Sequence, residues 1–243
     1  MFSLTNVSKS FGNVQVLKPT TVQFRTGEST VLIGPSGCGK STLLRILVGL
    51  IAPDSGTIEF DGTQLTTKNI ENLRLRMGYV IQDGGLFPHL TARQNVGLLA
   101  SHLGWAKDKV RSRVDELADL TRLTVAALDR YPAQLSGGQR QRIGIMRALV
   151  LDPAVILLDE PMGALDPMVR FDLQEDLRKI FRTLGKTSIM VTHDMGEAAF
   201  FGDRVMMLGE GEIVQEGRLD EMISNPINAY VAKFINAQRI PTA

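Results

Sequence analysis

A short apolar run, Thr30-Val31-Leu32-Ile33, leads straight into Gly34-Pro35-Ser36-Gly37-Cys38-Gly39-Lys40-Ser41-Thr42, after which Leu43, Leu44, Leu47 and Leu50 recur at helical spacing. Strand, glycine-rich loop and helix in this order constrain the fold more than any other feature, because the loop fits G-x-x-x-x-G-K-[ST]. The glycines let backbone N–H groups converge on phosphate oxygens where a side chain would intrude. The helix that follows adds the positive end of its dipole. Lys40 is placed to reach the β- and γ-phosphates of a nucleoside triphosphate, and Ser41 to ligate Mg²⁺.

Two further segments carry chemistry. Ala154-Val155-Ile156-Leu157-Leu158 is apolar without alternation, as expected of a parallel strand covered on both faces. Asp159 and Glu160 close it at its carboxyl end, where ligands bind in such sheets. Neighbours on a strand point opposite ways, so the two carboxylates can take different tasks. Asp159 would hold Mg²⁺ through water, and Glu160 would orient and polarise an attacking water. The plain alternative is a solvated acidic strand end. Leu135-Ser136-Gly137-Gly138-Gln139 stands just before a helix start. It is either a second anion site, built from free N–H groups, a hydroxyl and a helix N-terminus, or simply a Ser-capped helix after a glycine turn. Spacing alone favours the capped helix. Two phosphate-binding devices in one chain could grip a triphosphate from opposite sides.

The remaining pattern surrounds these motifs with structure. Strands are expected over 2–7, 14–17, 21–25, 56–60 and 77–81, the last running into the permissive loop Gln82-Asp83-Gly84-Gly85. Thr91 to Val150 shows helical patterning and no strand. Val110, Val114 and Leu117 mark one helix there, and Pro132 ends the run before the Ser-Gly-Gly segment. This block, 91–150, reads as a helical subdomain inserted into a core of 1–90 and 151–243. A helix stripe follows at Leu173, Leu177, Ile180, Phe181 and Leu184, then a strand over 188–192. A hairpin over 204–215 closes on Gly209-Glu210-Gly211, which reads as a turn because no helix follows at once. Two helices, near 219–223 and 229–235, end the pattern. Arg140, Arg142 and Arg147 suggest a solvated or interdomain face. His89, His102 and Trp105 have no metal-ligand spacing.

Bulk properties narrow the function. The 243 residues suffice for a sizeable core, and 44% hydrophobic with 22% charged residues indicates a globular chain. A net charge of +1 offers no electrostatic footprint for nucleic acid. Cys38 is the one cysteine, which excludes an intrachain disulfide and suits a small filler in a reducing compartment. The amino terminus has neither a basic start nor an apolar stretch of signal-peptide length. The longest apolar candidate, 43–52, is interrupted by Arg45, so the chain is not expected to span a bilayer.

Taken together, GPSGCGKST, Gln82, LSGGQRQR, ILLDEP, Ala164-Leu165-Asp166 and His193 resemble the ATP-binding-cassette (ABC) ATPases over nearly the whole chain. That resemblance implies a P-loop NTPase core of the α/β class, with a mainly parallel sheet flanked by helices, an antiparallel β subdomain and an inserted helical subdomain. It implies ATP and Mg²⁺ as ligands. In a head-to-tail homodimer, Ser136, Gly137, Gly138 and Gln139 of one copy would cover the ATP held by Gly34 to Thr42 of the other. Gln82 would sense Mg²⁺ and water, Asp166 would communicate across the dimer, and His193 would contact the γ-phosphate. Phe11 falls where the family stacks an aromatic ring, more often tyrosine, on adenine.

The stretches Gly78 to Gln82, Leu86 to Thr91, Gln94-Asn95-Val96, Arg130-Tyr131-Pro132 and Asp194 to Ala198 are similar to bacterial importers of glycine betaine, choline or carnitine. The resemblance also fits polar amino-acid importers, and a soluble cluster-assembly ATPase is the third reading. An importer subunit would lie on the cytoplasmic face of the bacterial inner membrane. It would bind two membrane permease subunits, be linked through them to an extracytoplasmic substrate-binding protein, and bind no nucleic acid. Many osmoprotectant members carry a regulatory tail after the cassette. The chain stops at Ala243, so that form of regulation is not expected. Glu160 and His193 together argue against an interaction module without turnover.

Overall fold

In chain order, β1 (Phe2–Phe11), β2 (Val14–Phe24) and β3 (Ser29–Ile33) precede α1 (Lys40–Leu47). There follow β4 (Ser55–Phe60), β5 (Thr63–Gln64), α2 (Ile70–Arg74) and β6 (Met77–Val80). The helices α3 (Ala92–His102), α4 (Lys107–Leu120), α5 (Val125–Leu128) and α6 (Gly137–Leu149) come next. Then come β7 (Val155–Asp159), α7 (Pro167–Leu184), β8 (Thr187–Val191) and α8 (Met195–Phe201). β9 (Arg204–Gly209), β10 (Glu212–Gly217), α9 (Leu219–Ser224) and α10 (Ala229–Gln238) complete the order. The computed structural model describes residues 1–82, 84–163 and 165–238. Asp83 and Ala164, both in motifs singled out from the sequence, lie outside them. The chain forms two compact units, residues 1–74 with the described residues from Thr187 onward, and residues 75–186.

In the first unit β3 lies between β8 and β9 and runs parallel to both, and β10 pairs antiparallel with β9. Val31, Leu32 and Ile33 are buried, as their unbroken apolar run requires. A separate antiparallel sheet has the order β2-β1-β4-β5. Phe2 stands opposite both Phe24 and Phe60, and its ring lies 6.5 Å from the first and 4.8 Å from the second. This cross-strand aromatic cluster anchors the sheet. The amide of Lys18 in β2 donates to the Gly211 carbonyl at 2.8 Å, tying the antiparallel sheet to the β9–β10 turn.

Two local expectations are corrected here. The strands expected at 14–17 and 21–25 are one strand, β2, which continues through Pro19. Its register against β1 shifts between Leu17, opposite Lys9, and Thr20, opposite Val7, so the proline falls at an irregularity where its missing N–H breaks no regular ladder. Leu50 is not part of the α1 stripe. Gly49 takes φ 73 just beyond the helix and leaves Leu50 exposed, while Leu43, Leu44 and Leu47 are buried. The short elements β5 and α2 carry too few residues to show a period in sequence.

In the second unit β6 and β7 pair in parallel, with α6 against β6 and α7 against α6. Val114 and Leu117 of α4 and Ile143, Met146 and Leu149 of α6 are buried, each burial contributing about 1.5–3 kcal/mol. On α7, Leu173, Leu177, Ile180 and Phe181 of the expected stripe are buried too, while Leu184 at the helix end is half-buried. The three arginines assigned from sequence to a solvated or interdomain face work inside this unit. Arg140 donates to the Leu135 carbonyl at 2.6 Å, and Arg147 to those of Gly84 and Gly85 at 2.8 Å each. Arg142 donates to the Thr121 carbonyl at 2.6 Å and pairs with Asp176. Loop and helix-end carbonyls beside α6 need donors, and guanidinium groups supply several each. Asp176, only 2% exposed, is held by both Arg142 and Arg122. Asp176→Ala should therefore destabilise the protein by about 3–5 kcal/mol, read as a lower urea midpoint, because it strands Arg142 beside the core. An unchanged midpoint would show that the pair carries no net structural role.

Candidate active site

The first unit carries the glycine-rich loop. β3 ends at Ile33 and the chain turns through Gly34, φ 145, and Gly39, φ 105, before α1 begins at Lys40. A Cβ at Gly34 would fall 2.2 Å from the Leu208 carbonyl oxygen, and one at Gly39 would fall 2.7 Å from that of Val16. Both positions therefore need glycine for backbone angle and for space. Pro35, Ser36 and Gly37 are exposed, Cys38 and Gly39 are buried, and Ser41 and Thr42 are half-buried in the first turn of α1. Lys40 is only 5% exposed. Its ammonium donates to the carbonyls of Gly34 at 2.8 Å and Pro35 at 3.0 Å, curling back over the loop. An ammonium held by neutral carbonyls at the mouth of a glycine loop fits a polyphosphate, whose anionic oxygens are stronger acceptors. Burial pushes the Cys38 thiol above its ordinary pKa, and neighbouring Lys40 only partly opposes this. The residue is a packed neutral thiol, as a small filler should be.

His193 lies on the same unit, in the link from β8 to α8, with its residue exposed. Its backbone is fixed from both sides. The Thr192 amide donates to the Leu32 carbonyl at 3.1 Å, and the Thr192 hydroxyl donates to the buried Glu197 carboxylate at 2.5 Å. Asp194 caps α8 by accepting from the amides of Gly196 at 2.6 Å and Glu197 at 3.2 Å. Phe11, at the end of β1, is 49% exposed and so is not a core residue. The Lys9 ammonium sits 5.4 Å from its ring centroid.

The second unit presents the acidic pair and the serine-glycine segment. Asp159 ends β7 and is 2% exposed; the Tyr79 hydroxyl on β6 donates to it at 3.4 Å. Glu160 does not continue the strand. Its φ of 45 puts it in the left-handed region, uncommon for a residue with a side chain and often met at functional sites. The two carboxylates thus diverge through a turn rather than through strand alternation. Ser136 caps α6: its hydroxyl accepts from the Gln139 amide at 3.2 Å, and Gln139 Oε1 accepts from the Ser136 amide at 3.0 Å. The capped-helix reading is therefore realised, and it leaves the amides of Gly137 and Gly138 without an intrahelical acceptor. A Cβ on Gly138 would meet Val169 of α7 at 2.4 Å, so glycine there also permits close helix packing.

A pocket of about 140 Å³ lies within this unit, lined by Gly137, Arg140, Gln141, Glu160 and their neighbours. Gln82 is exposed just past β6. Asp166 caps α7, accepting from the Val169 amide at 3.1 Å. Each unit thus gathers its own share of the candidate residues: Phe11, the loop and His193 in the first, and Gln82, Ser136 to Gln139, Asp159, Glu160 and Asp166 in the second.

Sequence reading assigned no structural role to three supporting residues, although each falls in a stretch that carries the importer resemblance. Nothing marked Tyr79 as a partner of Asp159. Glu197 was legible only as the third position after a capping aspartate. Asn95 is fully buried and binds the Phe87, Leu90 and Thr91 carbonyls, which fixes the turn before α3.

Comparison with known proteins shows the family. The family model described as ABC transporter matches residues 17–163. The glycine betaine/carnitine/choline transport ATP-binding protein OpuCA of Bacillus subtilis is 46% identical over 99% of the chain, which spans 63% of that relative's length. The sulfate/thiosulfate import ATP-binding protein CysA of Synechococcus elongatus is 44% identical over 96% of the chain and 67% of its own length. Among solved structures, a dimeric post-hydrolysis state of the ATP-binding cassette MJ0796 bound to ADP and Pi is 35% identical. It superposes with a TM-score of 0.82 over 90% of this chain and 99% of that one. The chain belongs to the ABC transporter family, and its fold is the α/β cassette of a P-loop NTPase.

The burial of Cys38 yields a direct check on the cradle. At neutral pH iodoacetamide should alkylate Cys38 more slowly than a free cysteine, because the raised pKa leaves less thiolate. Mg-ATP should slow it further. A rate equal to that of the free thiol would mean the loop is open where the structure closes it.

Proposed function

We propose that the protein is the ATP-hydrolysing subunit of an importer for osmoprotectants or related quaternary amines, working as a head-to-tail dimer against two permease subunits. One observation carries this reading. A cradle built for polyphosphate, a buried aspartate followed by a left-handed glutamate, and a serine-capped glycine helix occur together in a member of the ABC transporter family. In the proposed mechanism Lys40 exchanges its two loop carbonyls for the β- and γ-phosphate oxygens, while amides of residues 34–42 hold the remaining charge. Phe11 offers its exposed ring face to adenine. Asp159, Ser41 and Gln82 are the residues that would hold Mg²⁺, and their oxygen donors suit that hard cation. Bound there, Mg²⁺ would neutralise charge on the transferring phosphoryl group. Glu160 polarises the attacking water, His193 contacts the γ-phosphate, and the amides of Gly137 and Gly138 with Ser136 and Gln139 of the second copy complete the anion site.

We assign 91–150 as the helical subdomain carrying the Ser136 segment, and 1–90 with 151–243 as the nucleotide-binding core. Helices α3 to α6 support this division. Among the described residues no helix is long and apolar enough to cross a membrane, which suits a subunit docked on the cytoplasmic face of its permease. The quaternary-amine cargo rests on the similarity to the betaine, carnitine and choline system. The sulfate/thiosulfate relative makes an oxyanion the second reading, because its identity is nearly as high.

Glu160→Gln should bind ATP and dimerise yet hydrolyse about 10²–10⁴-fold more slowly, as expected on losing a positioned base. Turnover at the wild-type rate would remove Glu160 from that role. Ser136→Arg should keep ATP binding by the monomer and abolish ATP-dependent dimerisation in size-exclusion chromatography; persistent dimerisation would rule out the shared site. Reconstitution with the copurifying permease, followed by uptake of labelled glycine betaine against labelled sulfate, decides the cargo.

A further inference from the structure

Two buried polar side chains flank the exposed His193 in the link from β8 to α8: Thr192 at 2% exposure and Glu197 at 3%. The Thr192 hydroxyl has one proton, and it donates that proton to the Glu197 carboxylate at 2.5 Å. Toward the backbone its oxygen can then only accept, and it accepts from the Asp194 amide at 3.0 Å. A carboxylate acceptor polarises the hydroxyl, which makes the hydroxyl a better acceptor in turn. The Asp194 amide belongs to the peptide that joins His193 to Asp194. Two successive hydrogen bonds thus run from a buried carboxylate to the backbone that carries the imidazole. The rest of the turn is fixed as well, by the Thr192 amide on the Leu32 carbonyl at 3.1 Å and the Ala198 amide on the Asp194 carbonyl at 3.1 Å. Burying a carboxylate is costly. The first turn of α8, where Glu197 lies, offsets part of that cost through the helix dipole. A hydrocarbon side chain would fill the same space without it, so packing alone does not account for a carboxylate at this position.

We propose that Glu197 is a positioning residue for His193, acting through the Thr192 hydroxyl and the Asp194 amide. The relay holds the His193–Asp194 peptide in one orientation, and with it the direction in which the imidazole leaves the chain. The inference rests on the reading that His193 contacts the γ-phosphate. It adds a buried residue, four positions further along the chain, that influences hydrolysis only through that histidine.

The test measures ATP affinity and steady-state ATP hydrolysis of the full chain carrying Glu197→Leu, which fills the space and offers no acceptor. The expected result is kcat lowered about 10–100-fold, the scale of loss when a reacting group is displaced, with KM and ATP affinity unchanged. Glu197→Gln, whose amide oxygen still accepts from Thr192, should recover most of kcat. In the His193→Ala background Glu197→Leu should cost nothing further, because its target is gone. A normal kcat for Glu197→Leu, a Glu197→Gln as slow as Glu197→Leu, or a loss that multiplies with that of His193→Ala overturns the proposal. Should Glu197→Leu not fold, Thr192→Val removes the hydroxyl while keeping the shape, with Thr192→Ser as its recovering counterpart, and carries the same expectation and the same refutation. Normal turnover by His193→Ala would instead defeat the γ-phosphate assignment itself, so the two failures are told apart.

Discussion

The contact on which the rest of the site depends is the grip of the loop carbonyls at Gly34 and Pro35 on the Lys40 ammonium. A lysine at 5% exposure would be costly without partners, and here the loop supplies them before any ligand arrives. The cradle is therefore held in a binding-ready shape by its own counter-dipoles. Gly34 and Gly39 make this possible, because their backbone angles and the nearby carbonyls of Leu208 and Val16 leave no room for a side chain. Under the proposed function, binding a triphosphate would be an exchange of acceptors rather than the ordering of a loose loop, which lowers the entropic cost of association.

In the second unit one helix serves several purposes. α6 begins at a capping box that satisfies the amides of Ser136 and Gln139, and its glycine at 138 lets α7 approach. Further along, Arg142 holds Asp176 and Arg147 holds the carbonyls of Gly84 and Gly85. The loop that follows Gln82 is thus hydrogen-bonded to the helix that carries the serine-glycine segment. Buried polar networks of this kind are either fully satisfied or destabilising, so a change at one member is felt at the others. That coupling gives a physical basis for movement of the Gln82 loop to accompany movement of α6.

Polar side chains with local backbone roles recur at the places where function is assigned. Ser136 caps α6, Asp166 caps α7 and Asp194 caps α8 beside His193. Each cap uses one side-chain oxygen to anchor a helix terminus, and the terminus keeps further amides available. A substitution at any of them removes a helix cap, so binding and turnover need to be read beside an unfolding measurement.

Sequence alone determined the class of fold, the phosphate loop, the acidic strand end and the serine-glycine helix start. In each, the residues are neighbours along the chain and so legible from spacing, although the left-handed turn that sets Glu160 apart from Asp159 was not. The apolar stripes of α1, α4 and α7 were legible too, apart from Val110 and Leu184, which are half-buried, and Leu50, which Gly49 sets outside the helix. Only tertiary structure decided that Pro19 is absorbed within one strand, because the partner β1 supplies the register shift. It alone turned Arg140, Arg142 and Arg147 inward, since their acceptors at Leu135, Thr121 and Gly84 to Gly85 are set beside α6 by packing. Tyr79 reaching Asp159 and Gln141 sharing a pocket with Glu160 belong to the same group. A buried polar side chain is defined by what surrounds it, and residues distant in the chain become its surroundings only once the core has closed.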